Sequence, residues 1–241
     1  IKHFMDPPNI LGIGTNPTQL AMDFTFLHWG LHAWSVFGVV ALGLAFFTYN
    51  MKLPLTISSM FYPLLGKKIH GVYGHVIDTI AILATLFGLA TSLGLGAKQI
   101  NAGLSYMNVA PNSQMLQVVI ISVITGIATL SVVLGIKKGI KVISLINVIV
   151  AFAFMGIILF LGPTLYVFDS FVQNIVSYLN NLPKISFWAE AYNKTNWQNN
   201  WTIFYWGWWI SWAPFVGIFI ARISRGRTIR EMVTGLLLVP T

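Results

Sequence analysis

Cysteine is absent from the 241 residues, so no disulfide framework, cysteine-ligated zinc or thiol nucleophile can form. Charge is scarce as well. Only 8% of residues are charged, against roughly 25% in a typical soluble protein. Six acids and fourteen bases cannot cover the surface of a soluble globule this size. The acids in or near the apolar runs are Asp23, Asp78, Asp169 and Glu231, each at a run end. No paired carboxylates, no Ser-His-Asp order and no P-loop occur, so hydrolase, ATPase and redox-enzyme readings have no residues to rest on. The net charge of +8 does not indicate nucleic acid either, because the bases sit in short clumps between charge-free runs rather than on one solvated face.

Apolar residues fill the space that charge leaves, at 56% of the chain. A bilayer span needs about 20 mostly apolar residues. Five runs free of Asp, Glu, Lys and Arg meet that length. They predict spans at about 24–47, 73–97, 115–136, 142–168 and 201–222, in an all-α polytopic membrane protein. The stretch after Asp169 places Phe171, Ile175, Val176, Tyr178, Leu179 and Leu182 at helical spacing with Gln and Asn between them. It is too polar to span, and predicts an amphipathic helix over about 169–182 lying on the outer surface.

The bases between spans set the orientation. Lys52, Lys67, Lys68, Lys137, Lys138, Lys141, Arg222, Arg225, Arg227 and Arg230 fall on one side. Lys2, Lys98, Lys184 and Lys194 fall on the other. The richer side is expected in the cytoplasm, which puts Ile1 outside with no signal-like segment before the first span. The expectation is therefore an internal piece of a longer multi-pass protein of the cell membrane.

Tryptophan is the most informative residue: nine occur, and seven lie between 188 and 212. Trp188, Trp197 and Trp201 fit an interfacial aromatic belt. Trp206, Trp208, Trp209 and Trp212 fit it less well, since Trp208, Trp209 and Trp212 fall inside the span. Trp208, Trp212 and Phe215 share one helical face at i, i+4 and i+7, and Trp209 sits about 100° round from Trp208. An aromatic wall at this depth serves packing, or attracts a cation to π faces; spacing alone leaves both open. A second group opens the first span: Phe26, Trp29, Trp34 and Phe37. Trp29 lies about 140° from Trp34 on a regular helix, so lining one cavity requires a bend, for which Gly30 is the candidate. His28 and His32, one turn apart, read as hydrogen-bonded or proton-handling groups more readily than as a metal pair, because no carboxylate at matching spacing supports a metal. In the second span Ala84, Gly88, Ser92 and Gly96 form a small-residue stripe suited to close helix approach. The glycines of SLGLG also suggest a loosened helix whose carbonyls could hold a cation.

These segments resemble the betaine/carnitine/choline transporter family. WTIFYWGWWISWAPFVGIFIARISRGRTIRE at 201–231 is similar to the family signature. FLHWGLHAWSVF at 26–37 and ATLFGLATSLGLGAKQINAGL at 84–104 resemble its first substrate-lining helix and the helix that follows. The resemblance covers essentially the whole chain. It implies part of a LeuT-type inverted-repeat fold of twelve spans, of which this chain would supply spans four to eight and the external amphipathic helix. It further implies a secondary transporter, with no catalytic residues, that moves glycine betaine or choline by alternating access. Trp29, Trp34 and Trp209 match positions that enclose the trimethylammonium group, and Trp208 and Trp212 match aromatic positions along the substrate path. Phe37 stands where well-studied betaine carriers have tyrosine, which keeps the ring and loses a hydroxyl. Thr85 and Phe215 match one sodium site whose second threonine is replaced by Leu89. Sodium or a proton is the coupling ion the family implies, no other cofactor is expected, and relatives imply a homotrimer. The alternatives are a sodium-independent carnitine-type exchanger, or a membrane structural or receptor-like subunit whose tryptophans only pack.

Overall fold

A computed structural model describes residues 2–8, 16–133, 141–192 and 195–241. Within them the chain is helical, with no strand among the described residues. Among the described residues, five helical segments are long and apolar enough to cross a bilayer: Pro17–Asn50, Val72–Tyr106, Gln114–Val133, Lys141–Leu161 and Asn199–Ile223. Together with the composition they make this a polytopic membrane protein.

The chain divides into two compact units, residues 1–89 with 174–241, and residues 90–173. The first unit opens with a short helix α1 (Lys2–Met5). Helix α2 (Pro17–Trp29) starts where the Asn16 side chain accepts the Thr18 N–H and Pro17 presets the first turn. This start lies well before residue 24. The helix can begin early because Asp23 is not left bare: its Oδ2 accepts from Ser177 Oγ at 2.9 Å and Asn181 Nδ2 at 2.8 Å.

Gly30 then breaks the helix, at φ −96° and ψ −131°. A Cβ there would lie 2.6 Å from the Phe26 carbonyl oxygen, so only glycine fits this bend without a backbone shift. Helix α3 (Leu31–Ala45) continues the span and passes into a π-helical turn, Phe46–Asn50. Two 3-10 turns, Ile57–Phe61 and Gly66–His70, flank α4 (Tyr62–Leu65). Ser58 in the first of these is tied to Asp78 of α5 (Val72–Tyr106).

The 193–194 pair lies outside the described residues. Beyond it the π-helical turn Asn199–Ile203 leads into α9 (Phe204–Ile223). Helices α3 and α9 pack closely: a Cβ on Gly217 would stand 2.7 Å from Val40 Cγ1 and 3.3 Å from the Ala41 nitrogen. In lipid such van der Waals fit, more than a hydrophobic drive, holds helices together. Helix α10 (Ile229–Leu238) begins with a capping box between Thr228 and Glu231.

The second unit holds the later part of α5, then α6 (Gln114–Val133), α7 (Lys141–Leu161) and the start of α8 (Thr164–Ser186). The turn between α5 and α6 is held by Asn101, whose Nδ2 donates to Asn112 Oδ1 and the Ser113 carbonyl. Helix α7 buries none of its residues, as suits an apolar surface in lipid rather than water.

Three expectations need correction. The fourth span does not reach 168: Gly162 and Pro163 stop α7 at Leu161, because proline cannot donate to the helical ladder. The surface helix accordingly starts at Thr164 and runs to Ser186, longer than 169–182. The glycines of SLGLG do not loosen α5, which runs unbroken through them, so no carbonyls are freed there. The third span's expected end at 136 lies outside the described residues.

Candidate functional site

The α2–α3 break and α9 build one aromatic assembly. On α9, Trp208 and Trp209 stack with ring centroids 5.0 Å apart and planes at 7°. The Trp29 ring meets both on edge, at 4.9 Å and 77° to Trp209 and 5.9 Å and 81° to Trp208. Phe37, one turn beyond Trp34 on α3, meets Trp209 at 5.8 Å and 81°. Trp34 meets Phe37 at 5.6 Å and 79°. The structure therefore joins Trp29, Trp34, Phe37, Trp208 and Trp209 through successive ring contacts, most of them in the edge-to-face geometry that the aromatic quadrupole favours. Trp29 is 46% exposed while Trp209 is 8% exposed, so one wall is open and the opposite one fixed.

A backbone group orients the fixed wall. Trp209 Nε1 donates to the His28 carbonyl at 2.7 Å. The last carbonyls of a helix lack intrahelical partners, and ending α2 at Trp29 places His28 among them. The Gly30 break thus bends the span between Trp29 and Trp34 and leaves an acceptor for Trp209.

Tyr205 was not singled out from the sequence, yet it is the most connected ring. It stacks on His28 at 4.6 Å, meets Trp29 at 5.7 Å, and lies 6.1 and 6.2 Å from Trp208 and Trp209. Its place three and four residues before Trp208 and Trp209 was the available signal.

The histidines form hydrogen bonds. His3 Nε2 and His28 Nδ1 are 2.9 Å apart, and His28 Nε2 lies 3.0 Å from Thr202 Oγ1. Burial holds the His3 imidazole below its ordinary range. His32 Nε2 lies 3.1 Å from Ser186 Oγ. No group of three or more metal-holding side chains occurs among the described residues.

Trp197 departs from the belt reading. It is 5% exposed, packs edge-on against Phe24 at 4.8 Å and donates its indole N–H to the Asp6 carbonyl at 2.7 Å. It packs the first unit's interior rather than meeting headgroups. Tyr178 of α8 is buried in the same cluster, and that burial pushes its phenol up to about 12.

Trp212 stands apart from the stacked pair. Its ring meets Phe215 at 6.1 Å and lies over Gly88, where a Cβ would come within 2.4 Å of it. Its indole N–H has no hydrogen-bond partner among the described residues. Thr85 and Phe215 line one cavity of about 340 Å³. The Thr85 hydroxyl donates to the Ala81 carbonyl at 2.9 Å, which leaves its lone pairs free. One hydroxyl is a thin donor set for sodium, and Leu89 adds no side-chain oxygen, so these residues do not by themselves fit the ion.

The whole chain, residues 1–241, matches the model of the betaine/carnitine/choline family transporters. It is 44% identical over 241 residues to a glycine betaine transporter of Acinetobacter baylyi, covering 100% of this chain and 36% of the relative. It is 48% identical over 224 residues to a glycine betaine/proline/choline transporter of Vibrio parahaemolyticus, covering 93% of this chain and 40% of the relative. It is 48% identical over 222 residues to a glycine betaine transporter of Bacillus subtilis, covering 91% of this chain and 43% of that protein. The chain thus spans about two-fifths of the length of these relatives.

Proposed function

Because the chain belongs to the betaine/carnitine/choline transporter family, we propose that it forms the aromatic substrate-binding part of a secondary transporter for quaternary-ammonium osmolytes, glycine betaine or choline. The observation that carries this is the Trp29–Trp209 pair, an open wall facing a fixed one. A trimethylammonium group has no N–H to donate and a diffuse charge, so ring faces within about 6 Å suit it better than a lone carboxylate. The two rings touch edge to face, and Trp29 must move off Trp209 to admit the group. Helix α9 and the α2–α3 span would carry the opposed walls, and their relative movement would open the site to each side in turn. The Arg222–Arg230 end would face the cytoplasm.

Competition uptake tests the reading. In cells carrying the full-length protein, labelled glycine betaine should accumulate and be displaced by excess betaine or choline. Uptake no greater than in cells without the protein would refute it.

A second reading, exchange without sodium, draws support from Leu89. Uptake into vesicles with and without a sodium gradient separates the two. A gradient-independent rate supports the exchanger, and a rate that collapses without the gradient supports symport.

A further inference from the structure

The cavity beside Thr85 carries more than the residues the family resemblance points to. It opens between the Leu55–Ile57 segment, the early turns of α5, and α9 around Pro214–Ile218. Its volume, about 340 Å³, lies within the range of small-molecule sites. Its walls are mostly apolar, with the hydroxyls of Thr56 and Thr85 and one charged group, the Asp78 carboxylate.

Asp78 is held in place by hydrogen bonds. Ser58 N donates to its Oδ1 at 2.8 Å and Ser58 Oγ to its Oδ2 at 2.8 Å. Both partners belong to one uncharged residue, which is itself buried. The remaining lone pairs of a carboxylate fixed this way, on the wall of a poorly polar cavity, attract a cation more strongly than they would in water. The cation's chemistry follows from the rest of the lining. An alkali ion needs several convergent oxygens, and here the other side-chain oxygens are two hydroxyls already engaged elsewhere, Thr56 with Ser58 and Ser59 and Thr85 with the Ala81 carbonyl. An apolar-bodied cation needs a low-polarity wall, an aromatic surface and one counter-charge. Ile82, Leu86 and Pro214 supply the wall, Phe215 the ring and Asp78 the charge.

We propose that this cavity is a second ligand site of the protein, selective for a small quaternary-ammonium ion of net positive charge, as in choline, over a zwitterion such as glycine betaine. Betaine's own carboxylate would meet Asp78 in the same small volume, a like-charge contact that choline lacks. The site lies past the Trp208–Trp209 pair along α9, where Phe215 lines the cavity and its ring meets Trp212. It rests on the transport reading and adds a station at which net charge, not the ammonium group, is discriminated.

Equilibrium binding of labelled choline and labelled betaine to the full-length protein in nanodiscs tests this. The native protein should bind choline at two classes of site and betaine at one. Asp78→Asn should abolish the second choline class and leave the betaine isotherm within twofold, which also reports that the variant is folded. Ser58→Ala removes the hydroxyl bond to Oδ2 but keeps the backbone N–H bond to Oδ1 and the charge, and should retain both choline classes. A single choline class in the native protein would overturn the proposal. So would equal losses in Asp78→Asn and Ser58→Ala, or a parallel loss of betaine and choline in Asp78→Asn. Trp209→Ala separates this from the underlying reading: if both isotherms ignore it, the aromatic site fails while the Asp78 result still stands or falls alone.

Discussion

Trp209 reaches from α9 to donate its indole N–H to the carbonyl of His28, 2.7 Å away. The contact couples a backbone break to an aromatic wall. The carbonyl is available because α2 ends at Trp29, and the helix ends there because of Gly30. One glycine therefore sets the bend between the two ring-bearing segments and the orientation of Trp209.

Gly30→Ala tests that dependence. Its Cβ would meet the Phe26 carbonyl oxygen at 2.6 Å, an obstacle that cannot rotate away. The backbone must shift, which moves His28 and loosens Trp209. Betaine affinity in full-length protein should fall about tenfold, the equivalent of roughly 1.4 kcal/mol. Gly94→Ala is the control, because a Cβ there meets nothing within 4 Å among the described residues. It should leave affinity unchanged and raise helix stability by about 0.5–1 kcal/mol. Binding isotherms and thermal unfolding of both variants check the pair.

Asp23 ties the surface helix to α2. It is fully buried, with two donors from α8 on Oδ2 and no hydrogen-bond partner on Oδ1 among the described residues. Asp23→Ala removes the acceptor and leaves Ser177 and Asn181 without it, at a cost of about 1–3 kcal/mol for such buried groups. Amide exchange over 174–186 should speed up tenfold or more. Asp23→Asn keeps one oxygen acceptor and should have a smaller effect. Hydrogen-exchange mass spectrometry reads both, and unchanged exchange in Asp23→Ala would contradict the tie.

The start of α10 has a pH signature. Glu231 accepts from the Thr228 backbone N–H and hydroxyl, and these donors, with Arg227 adding, hold its carboxyl below the usual 4.5. A carboxyl depressed in the folded state contributes its stability above the unfolded value and loses it as pH falls through the folded one. Protection of the first turn of α10 should be constant above about pH 5 and decline as pH drops below 4.5. Glu231→Gln should flatten that decline. Exchange rates of the first α10 amides between pH 3 and 7 provide the check.

Much of this was legible in the sequence, for identifiable reasons. Charge-free length marks apolar helices without knowledge of their neighbours, and Gly30 was the natural bend because Trp29 and Trp34 diverge on a straight helix. What was hidden depends on contacts between distant segments. Trp197 reads as a belt residue until the Asp6 carbonyl and Phe24 are placed beside it. Tyr205 is inconspicuous between tryptophans until His28 stacks on it. The glycines of SLGLG have low helix propensity, yet α5 carries straight through them, since intrinsic preference is a weak prior inside a long apolar helix. The end of α7 was readable from Gly162 and Pro163, but apolar 164–168 concealed it: a hydropathy run does not distinguish a span from the helix that follows a break.

The central claim is that Trp209 is a wall of the substrate site and Trp188 is not. Both are tryptophans in the same unit, but Trp209 meets Trp29, Phe37 and Trp208, whereas Trp188 packs against Phe24 and Trp197. The direct measurement is the betaine and choline affinity of full-length Trp209→Ala and Trp188→Ala, each normalised to folded protein. Loss of a desolvated cation–π wall is worth about 2 kcal/mol, so Trp209→Ala should weaken binding tenfold or more and Trp188→Ala less than twofold. Equal effects in the two variants, or unchanged affinity in Trp209→Ala, would contradict the account.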